Sequence, residues 1–333
     1  MNAKEILEAV RAEQYRRAEQ SGYKRFSKAE EAPFREWKVA RYSEAIALDP
    51  SFGDAYAERG SELYFLGRRA EAKADIRRAF ALGVSDPELY GTMAMPFVGE
   101  EQREILRVGM KLIDRASEET GWFYNHLYSE LIRSYWYEGS FPENARLLEE
   151  WVPQLEQTEH MYRMALQDLG MVYSALGKHA EAETAYRRAL EATPPPEKQH
   201  VADMVVRTLM HRDQYGEALL VLEELADGLP ADTRTIFSAA LTVLQDPGSA
   251  LARDASAGAL TAAEDWGRRP GPLGHSTSYY SFLLGLVYRG VGKNREAAEI
   301  LTRFADEAAA NKREWGITMR WEIAKARELA TTS

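Results

Sequence analysis

The residues with most potential for chemistry are the six histidines, and none of them belongs to a recognised metal-binding or catalytic motif. His126 and Glu130 lie four residues apart on a predicted helix, but no second histidine completes a zinc motif. Asp203 and His211 could face one groove as a base and its orienting group, yet they lie eight residues apart and no nucleophile accompanies them. The sequence therefore predicts no catalytic residue, no metal site and no cofactor.

Composition and charge exclude several classes of protein. The 333-residue chain contains no cysteine, which excludes disulfides, thiolate zinc sites and cysteine nucleophiles. The glycine-containing stretch 267–274 lacks the lysine and the following helix of a phosphate-binding loop. The formal charge is −10, from 52 acidic and 42 basic residues, and it disfavours nucleic-acid binding. Charges interrupt residues 1–20 and no stretch is apolar enough to span a membrane, so we expect a cytoplasmic protein without membrane contact.

Helical periodicity runs through most of the chain and predicts an all-α fold. Residues 161–196 contain the clearest pair of helices, which three consecutive prolines close at 194–196. Small residues equivalent to Ala182 recur 36 or 37 residues apart, which indicates a repeated unit of two helices. These positions are Ala72, Gly109, Ala145, Ala182 and Ala218, and Ala297 follows about two units later.

This repeat resembles the tetratricopeptide repeat family. The signature positions of its clearest unit carry Leu169, Gly170, Tyr173, Ala182, Tyr186, Ala189 and Pro194. The resemblance implies an all-α, right-handed superhelical solenoid of about seven helix hairpins with capping helices at both ends. Gly170 and Ala182 are expected to let two helices approach closely, and Tyr173 and Tyr186 to fill the space between hairpins. We therefore interpret the signature residues as structural.

The predicted organisation has three parts. Residues 1–30 form an N-terminal capping helix, residues 31–310 form the repeat array, and residues 311–333 form a C-terminal capping helix. The array contains two degenerate units and a Pro- and Gly-rich loop, at 87–119, 232–266 and 268–277.

In the tetratricopeptide repeat family, the first helix of each hairpin lines a concave groove that holds an extended peptide or a partner helix. Projection from the signature glycine gives this groove aromatic, methionine and charged side chains, which suit an amphipathic segment. The lysine, asparagine and arginine set of the family's chaperone-binding members is absent, since the matching positions include Asp54 and Gln167. The predicted groove residues are Asp54, Tyr64, Phe65, Glu130, Tyr137, Gln167, Met171, Asp203, Arg207, His211, Tyr279, Phe282 and Arg289.

The sequence therefore favours a non-catalytic scaffold or adaptor that binds a protein or peptide, with a basic or amphipathic segment as the expected partner. One alternative is a regulatory array whose curvature changes when a small peptide or metabolite binds. Others are a repeat-scaffold enzyme or an accessory subunit of one, and self-association through an uncapped end. The aromatic helix 121–137 leaves two interpretations open, either core packing or a ligand-facing site at Trp122, Trp136 or Tyr137.

Overall fold

The structure, a computed structural model, consists of helices joined by short turns. It describes residues 2–21, 27–113, 121–155, 160–194, 197–224, 230–268, 276–310 and 319–331. Every regular element in these ranges is helical, which confirms the predicted all-α class. The chain divides into two compact units, an N-terminal unit of residues 1–139 and a C-terminal unit of residues 140–333. Residues 269–275 of the predicted loop and 311–318 of the predicted C-terminal cap lie outside the described residues.

The N-terminal unit is built from successive helix pairs. Its helices are α1 (Ala3–Gln20), α2 (Lys28–Leu48), α3 (Gly53–Phe65), α4 (Arg69–Leu82), α5 (Leu89–Ala94), α6 (Glu100–Leu112) and α7 (Gly121–Glu138). Helix α1 packs on α2, α3 on α4 and α5 on α6, while α3 also contacts α2 and α5. Each pair therefore buries its apolar side against the next pair, as expected of a repeat array.

The C-terminal unit continues the same arrangement. Its helices are α8 (Phe141–Trp151), a 3₁₀ turn (Val152–Gln154), α9 (His160–Ala175), α10 (His179–Ala192), α11 (Lys198–His211), α12 (Tyr215–Glu224), α13 (Ala231–Gln245), α14 (Ala250–Arg268), α15 (Ser276–Gly290), α16 (Asn294–Ala310) and α17 (Arg320–Thr331). Helices α9 to α16 pack as consecutive pairs, and α17 packs on α16. One apolar core extends from Ala182 on α10 to Leu329 on α17. The degenerate segment 232–266 forms the pair α13 and α14, with a break at 246–248, where Asp-Pro-Gly interrupts the helical pattern.

Two helix boundaries differ from the sequence pattern. Helix α2 begins at Lys28, inside the segment 1–30 predicted as the N-terminal cap, because Ser27 and Glu30 cap each other's backbone amides in a capping box. Helix α5 is short and covers only Leu89–Ala94. Pro96 accounts for this early end, because proline has no backbone N–H to donate to the helix.

The signature glycines lie where two helices approach closely. A Cβ atom built on Gly170 of α9 would lie 2.4 Å from Cε1 of Tyr186 on α10. At Gly285 on α15 it would lie 2.6 Å from Cδ2 of Leu301 on α16. Real Cβ atoms do not approach other heavy atoms so closely, so the pairing needs glycine at these positions. This confirms the structural interpretation of Gly170.

Three of the turns between paired helices contain a glycine with a left-handed backbone conformation. Gly67, Gly177 and Gly292 adopt φ angles of 82°, 74° and 81°, in the left-handed region that favours glycine. After Gly177, the amide of Lys178 donates to the carbonyl of Tyr173 at 2.9 Å and reverses the chain. The sequence predicts a left-handed cap at Gly67, because this glycine follows a helical pattern, and its φ angle confirms the prediction.

The aromatic helix α7 is mainly a core element. Phe123 and Tyr128 are buried, together with Leu127 between them. The side chains of Trp122 and Tyr137 are instead 60% and 58% exposed. Of the seven aromatic residues of α7, two are therefore buried, three, including Trp136, are half-buried, and two are exposed.

Candidate functional site

Helix α17 lies against side chains that the sequence assigns to the groove. Glu322 on α17 is fully buried, and its Oε1 accepts hydrogen bonds from Nε and Nη2 of Arg207 at 3.0 and 2.8 Å. Nε2 of His211 lies 3.1 Å from the same oxygen. Arg207 and His211 are one turn apart on α11, so both reach one carboxylate. This contact joins residues 115 positions apart in the chain.

The central contact of α17 is an ion pair. Burial by itself raises the pKa of Glu322, but the charges of Arg207 and His211 outweigh burial and hold this pKa at about 2. Burial lowers the pKa of Arg207, but the Glu322 carboxylate outweighs it and raises this pKa above its ordinary value. Both groups are therefore charged at neutral pH.

Helix α17 also contacts side chains of α11 and α15. The Trp321 ring centroid lies 5.1 Å from the His211 ring and 6.3 Å from the Phe282 ring. Nη1 of Arg289 donates to the carbonyl of Leu329 at 3.0 Å. We call the surface formed by Arg207, His211, Phe282 and Arg289 the α17 seat. These predicted groove residues therefore face another helix of the same chain.

Tyr279 lies beneath this seat. The Arg207 guanidinium carbon is 4.6 Å from the Tyr279 ring centroid, and the tyrosine is 7% exposed. Phe282 is fully buried and packs against Phe304 on α16, at 5.5 Å between ring centroids. Tyr279 and Phe282 thus belong to the core of the C-terminal unit as long as α17 is in place.

Replacing Asp203 by asparagine is expected to stabilise the protein by about 2 kcal/mol at pH 8, and by less at pH 5. Burial raises the pKa of Asp203 to about 7, although Arg207 on the next turn opposes it. A raised folded-state pKa means that stability falls as the pH rises from the ordinary value of 3.8 towards 7, and the deficit is constant above that. Asparagine does not titrate, so it removes this deficit.

The check is the unfolding midpoint of both proteins between pH 4 and pH 8. The matched control is Asp254→Asn, because Asp254 is exposed on α14. A stabilisation by Asp203→Asn that is the same at every pH, or one equalled by the control, would contradict the prediction.

The N-terminal unit contains an open cleft of about 740 Å³ between α1, α2, α3 and the segment 86–92. Its floor carries three carboxylates, which three basic side chains neutralise. Glu58 accepts from Nε of Arg11 at 3.0 Å, and Asp86 accepts from Nη2 of the same guanidinium at 2.7 Å. Glu62 accepts from Nη1 of Arg35 at 2.8 Å and from Lys38. Burial raises the pKa of Glu58, although Arg11 opposes it.

The walls of the cleft combine aromatic rings with guanidinium groups. The Arg17 guanidinium carbon lies 3.9 Å from the Phe34 ring centroid, and that of Arg35 lies 4.5 Å from the Phe65 ring centroid. Phe65 is 44% exposed, so part of its ring is open to the cleft. Both stacks restrict long side chains, which makes the surface largely preformed.

The hairpin of α9 and α10, closed at Gly170 and Tyr186, coincides with the match to a known family. The tetratricopeptide repeat profile matches residues 164–196. The chain therefore contains a tetratricopeptide repeat. The match covers one repeat, and the other helix pairs of this repeat protein follow the same spacing with fewer signature residues.

Several solved structures resemble this repeat protein at low identity. PilF of Pseudomonas aeruginosa has 18% identity and a TM-score of 0.38, over 68% of this chain and 96% of that chain. The C-terminal part of a TPR repeat-containing protein from Cytophaga hutchinsonii has 16% identity and a TM-score of 0.42, over 81% and 99%. The apo quorum sensor NprR from B. thuringiensis has 13% identity and a TM-score of 0.41, over 97% of each chain. No relative is found among curated protein sequences.

The other predicted groove residues of this repeat protein are dispersed. Asp54 is buried and accepts from the amide and the hydroxyl of Ser85, at 2.8 and 2.5 Å, so it joins α3 to the start of the next pair. Glu130 pairs with Arg133 on its own helix at 2.5 Å. Tyr137 is exposed at the end of α7. Tyr64, Gln167 and Met171 are half-buried on α3 and α9.

Phe65 alone among the predicted groove residues lines the N-terminal cleft. Sequence reasoning missed Arg11 and Tyr15 because α1 is interpreted as a cap, and it missed Phe34 and Lys38 because they lie on the second helix of a pair. The signal available was the spacing of Phe34, Arg35 and Lys38, which places aromatic and basic groups on one side of α2.

The described residues include neither a metal-binding cluster nor a membrane-spanning helix. They contain no group of three or more histidine, aspartate or glutamate side chains that could hold a metal ion. Among the helices described, none is long and apolar enough to cross a membrane.

Proposed function

We propose that this repeat protein is a non-catalytic scaffold that binds a protein segment in the cleft of its N-terminal unit. The observation that carries this proposal is the open, preformed cleft of about 740 Å³ at the side of α1, α2 and α3. A volume of this size accommodates several side chains of a peptide. The proposed partner is a protein segment, since the formal charge of −10 opposes binding to phosphate backbones and anionic membranes.

Aromatic groups in the cleft support apolar anchors on the partner. Phe34 and Phe65 line it together with Leu89, and each aromatic ring is covered on one side by an arginine. An aliphatic or aromatic side chain placed between these rings would lose its contact with water without needing a new hydrogen bond. Such central anchors supply most of the affinity in peptide recognition.

The charges of the cleft support basic residues beside those anchors. The lining has five carboxylates and four basic groups, which are Glu31, Glu58, Glu62, Asp86 and Glu88 against Arg11, Arg17, Arg35 and Lys38. Arg11, Arg35 and Lys38 are already paired with acids on the floor. Glu88 is exposed at the rim, where a lysine or arginine of the partner could reach it. An amphipathic segment with basic flanks therefore fits best.

A displayed library of random 12-residue peptides, selected against the full chain, tests this function. Selected peptides are expected to be enriched in an apolar residue with lysine or arginine near it. Phe65→Ala is expected to weaken their binding by about tenfold, because it removes an aromatic anchor. Fluorescence anisotropy of the labelled peptides measures the change.

The matched control is Val98→Ala, since Val98 is 82% exposed and does not line the cleft. Its peptide affinity should equal that of the unaltered protein. Equal binding to Phe34→Ala, Phe65→Ala and the control would rule out the cleft as the binding site. If the protein self-associates, the measured affinity for the selected peptides will depend on the protein concentration.

A further inference from the structure

We propose that the α17 seat is a second binding surface, specific for an amphipathic helix with a buried acidic residue, and that α17 is its exchangeable resident occupant. The partner helix would carry the order seen in α17, which is an aromatic residue, an acid and an aliphatic residue, as in Trp321, Glu322 and Ile323. This surface belongs to the C-terminal unit and does not depend on the cleft proposed above.

The contacts of α17 extend to more helices than those of a helix that only caps the last pair. A cap needs contacts only with α15 and α16, which precede it. Helix α17 also contacts α11 through Glu322, and Nη1 of Arg320 lies 3.5 Å from the carbonyl of Ala175 at the end of α9. Its N-terminal half is therefore held by first helices of earlier pairs, the elements that line a binding groove in repeat arrays.

The apolar contacts resemble those of a helix bound in a groove. Met319, Ile323, Ala326 and Leu329 are buried and join the large core of the C-terminal unit. Their spacing of three or four residues forms one stripe, while Arg320 and Arg327 lie on the exposed side. This is the anchor pattern of helix-in-groove recognition.

The polar groups at the centre of the α17 seat favour an acidic residue on the bound helix. Arg207 places two donors on one carboxylate oxygen, and His211 adds a third contact. Glu322 is fully buried, whereas 22% of the Arg207 side chain remains exposed. A helix with an apolar residue at this position would leave Arg207 without a counter-charge and His211 without its polar contact, so the seat favours an acidic helix.

The same centre makes α17 easier to release than a helix held by apolar contacts alone. Among the described residues, Oε2 of Glu322, Nδ1 of His211 and the hydroxyl of Tyr279 are buried without a hydrogen-bond partner. Burying charged and polar groups with incomplete pairing offsets part of the gain from apolar burial. A partner helix of equal charge and better fit can then displace α17, which would become free to leave the groove.

The experiment uses a fluorescent peptide with the sequence of residues 319–331, MRWEIAKARELAT, and the full chain. In the unaltered protein the resident helix competes, so the peptide should bind weakly. In Glu322→Arg the resident helix carries a positive charge opposite Arg207 and should undock. That variant is expected to bind the peptide at least about tenfold more tightly, because its seat is open for a larger fraction of the time.

The matched control is the same peptide with glutamine in place of Glu322. It should bind the Glu322→Arg variant about tenfold more weakly than the unaltered peptide does. Equal binding of the 319–331 peptide to the unaltered protein and to a folded Glu322→Arg variant would overturn the proposal. So would a dimer of the unaltered protein that Glu322→Arg abolishes, because the seat would then hold α17 of a second copy.

Hydrogen exchange of the unaltered protein keeps the proposal testable even when Glu322→Arg does not fold. Backbone amides of α17 are expected to exchange at least about tenfold faster than those of α16, through local release of the helix. Equal protection of α16 and α17 would identify α17 as a permanent part of the core and overturn the proposal.

Discussion

Replacing Arg207 by methionine is expected to lower the free energy of unfolding by about 3–5 kcal/mol. Glu322 is completely buried, and Arg207 supplies two of the three close polar contacts to its Oε1. Methionine fills similar space but leaves the carboxylate with His211 alone. The folded chain must then hold a charge without adequate pairing or take up a proton, and both outcomes cost stability.

Urea unfolding of four proteins separates the energy of the Arg207–Glu322 pair from the effect of replacing each residue alone. These are the unaltered chain, Arg207→Met, Glu322→Leu and the double variant. The double variant is expected to recover most of the loss, because replacing a buried ion pair by apolar groups of similar size is often close to neutral. Arg327→Met is the matched control, since Arg327 is exposed on α17. A loss at Arg207→Met no larger than in this control would refute the prediction.

The Arg207–Glu322 pair also determines how this loss of stability depends on pH. Glu322 has a pKa of about 2 in the folded chain, below its ordinary value of 4.5, because Arg207 and His211 outweigh burial. A lowered pKa contributes stability that is complete above pH 4.5 and is lost as the pH falls from there towards 2. The difference between the unaltered chain and Arg207→Met should therefore shrink across this interval.

Replacing Gly170 by alanine is expected to destabilise the protein by about 2–3 kcal/mol, even though alanine has the higher helix propensity. The new Cβ would lie 2.4–2.7 Å from ring atoms of Tyr186, which is buried between α9 and α10. The two helices must separate or the ring must leave its position, and neither is compatible with a close-packed core.

Gly258→Ala on α14 is the matched control, because nothing lies within 4 Å of the Cβ position there. It should stabilise the protein by about 0.5–1 kcal/mol through helix propensity alone. Thermal or urea unfolding of both variants gives the comparison. Opposite signs are expected, and equal effects would show that packing at Gly170 does not control stability.

The helix pairs were predictable because their determinants are local. Gly170, Ala182 and Tyr186 lie within one repeat, so their spacing in the sequence specifies which side chains meet. The turn at Gly67 was predictable for the same reason, since one left-handed residue reverses the chain.

The candidate sites depend on contacts that spacing does not encode. The pairing of Arg207 with Glu322 spans 115 positions, and only the path of the chain through α11, α15 and α17 brings these residues together. The N-terminal cleft similarly needs α1 to lie beside α3, where Arg11 meets Glu58 across 47 positions. Periodicity gives the exposed side of each helix but not the element that covers it.

The distance in sequence between the seat and α17 has a consequence for synthesis on the ribosome. Arg207 is made 115 residues before Glu322, an interval of roughly 6–25 s at about 5–20 residues per second. During that time Arg207 and His211 lack the helix that covers them in the finished fold. The nascent C-terminal unit therefore exposes part of the α17 seat before α17 has been synthesised. A chaperone or a partner helix that binds in this interval would not compete with α17.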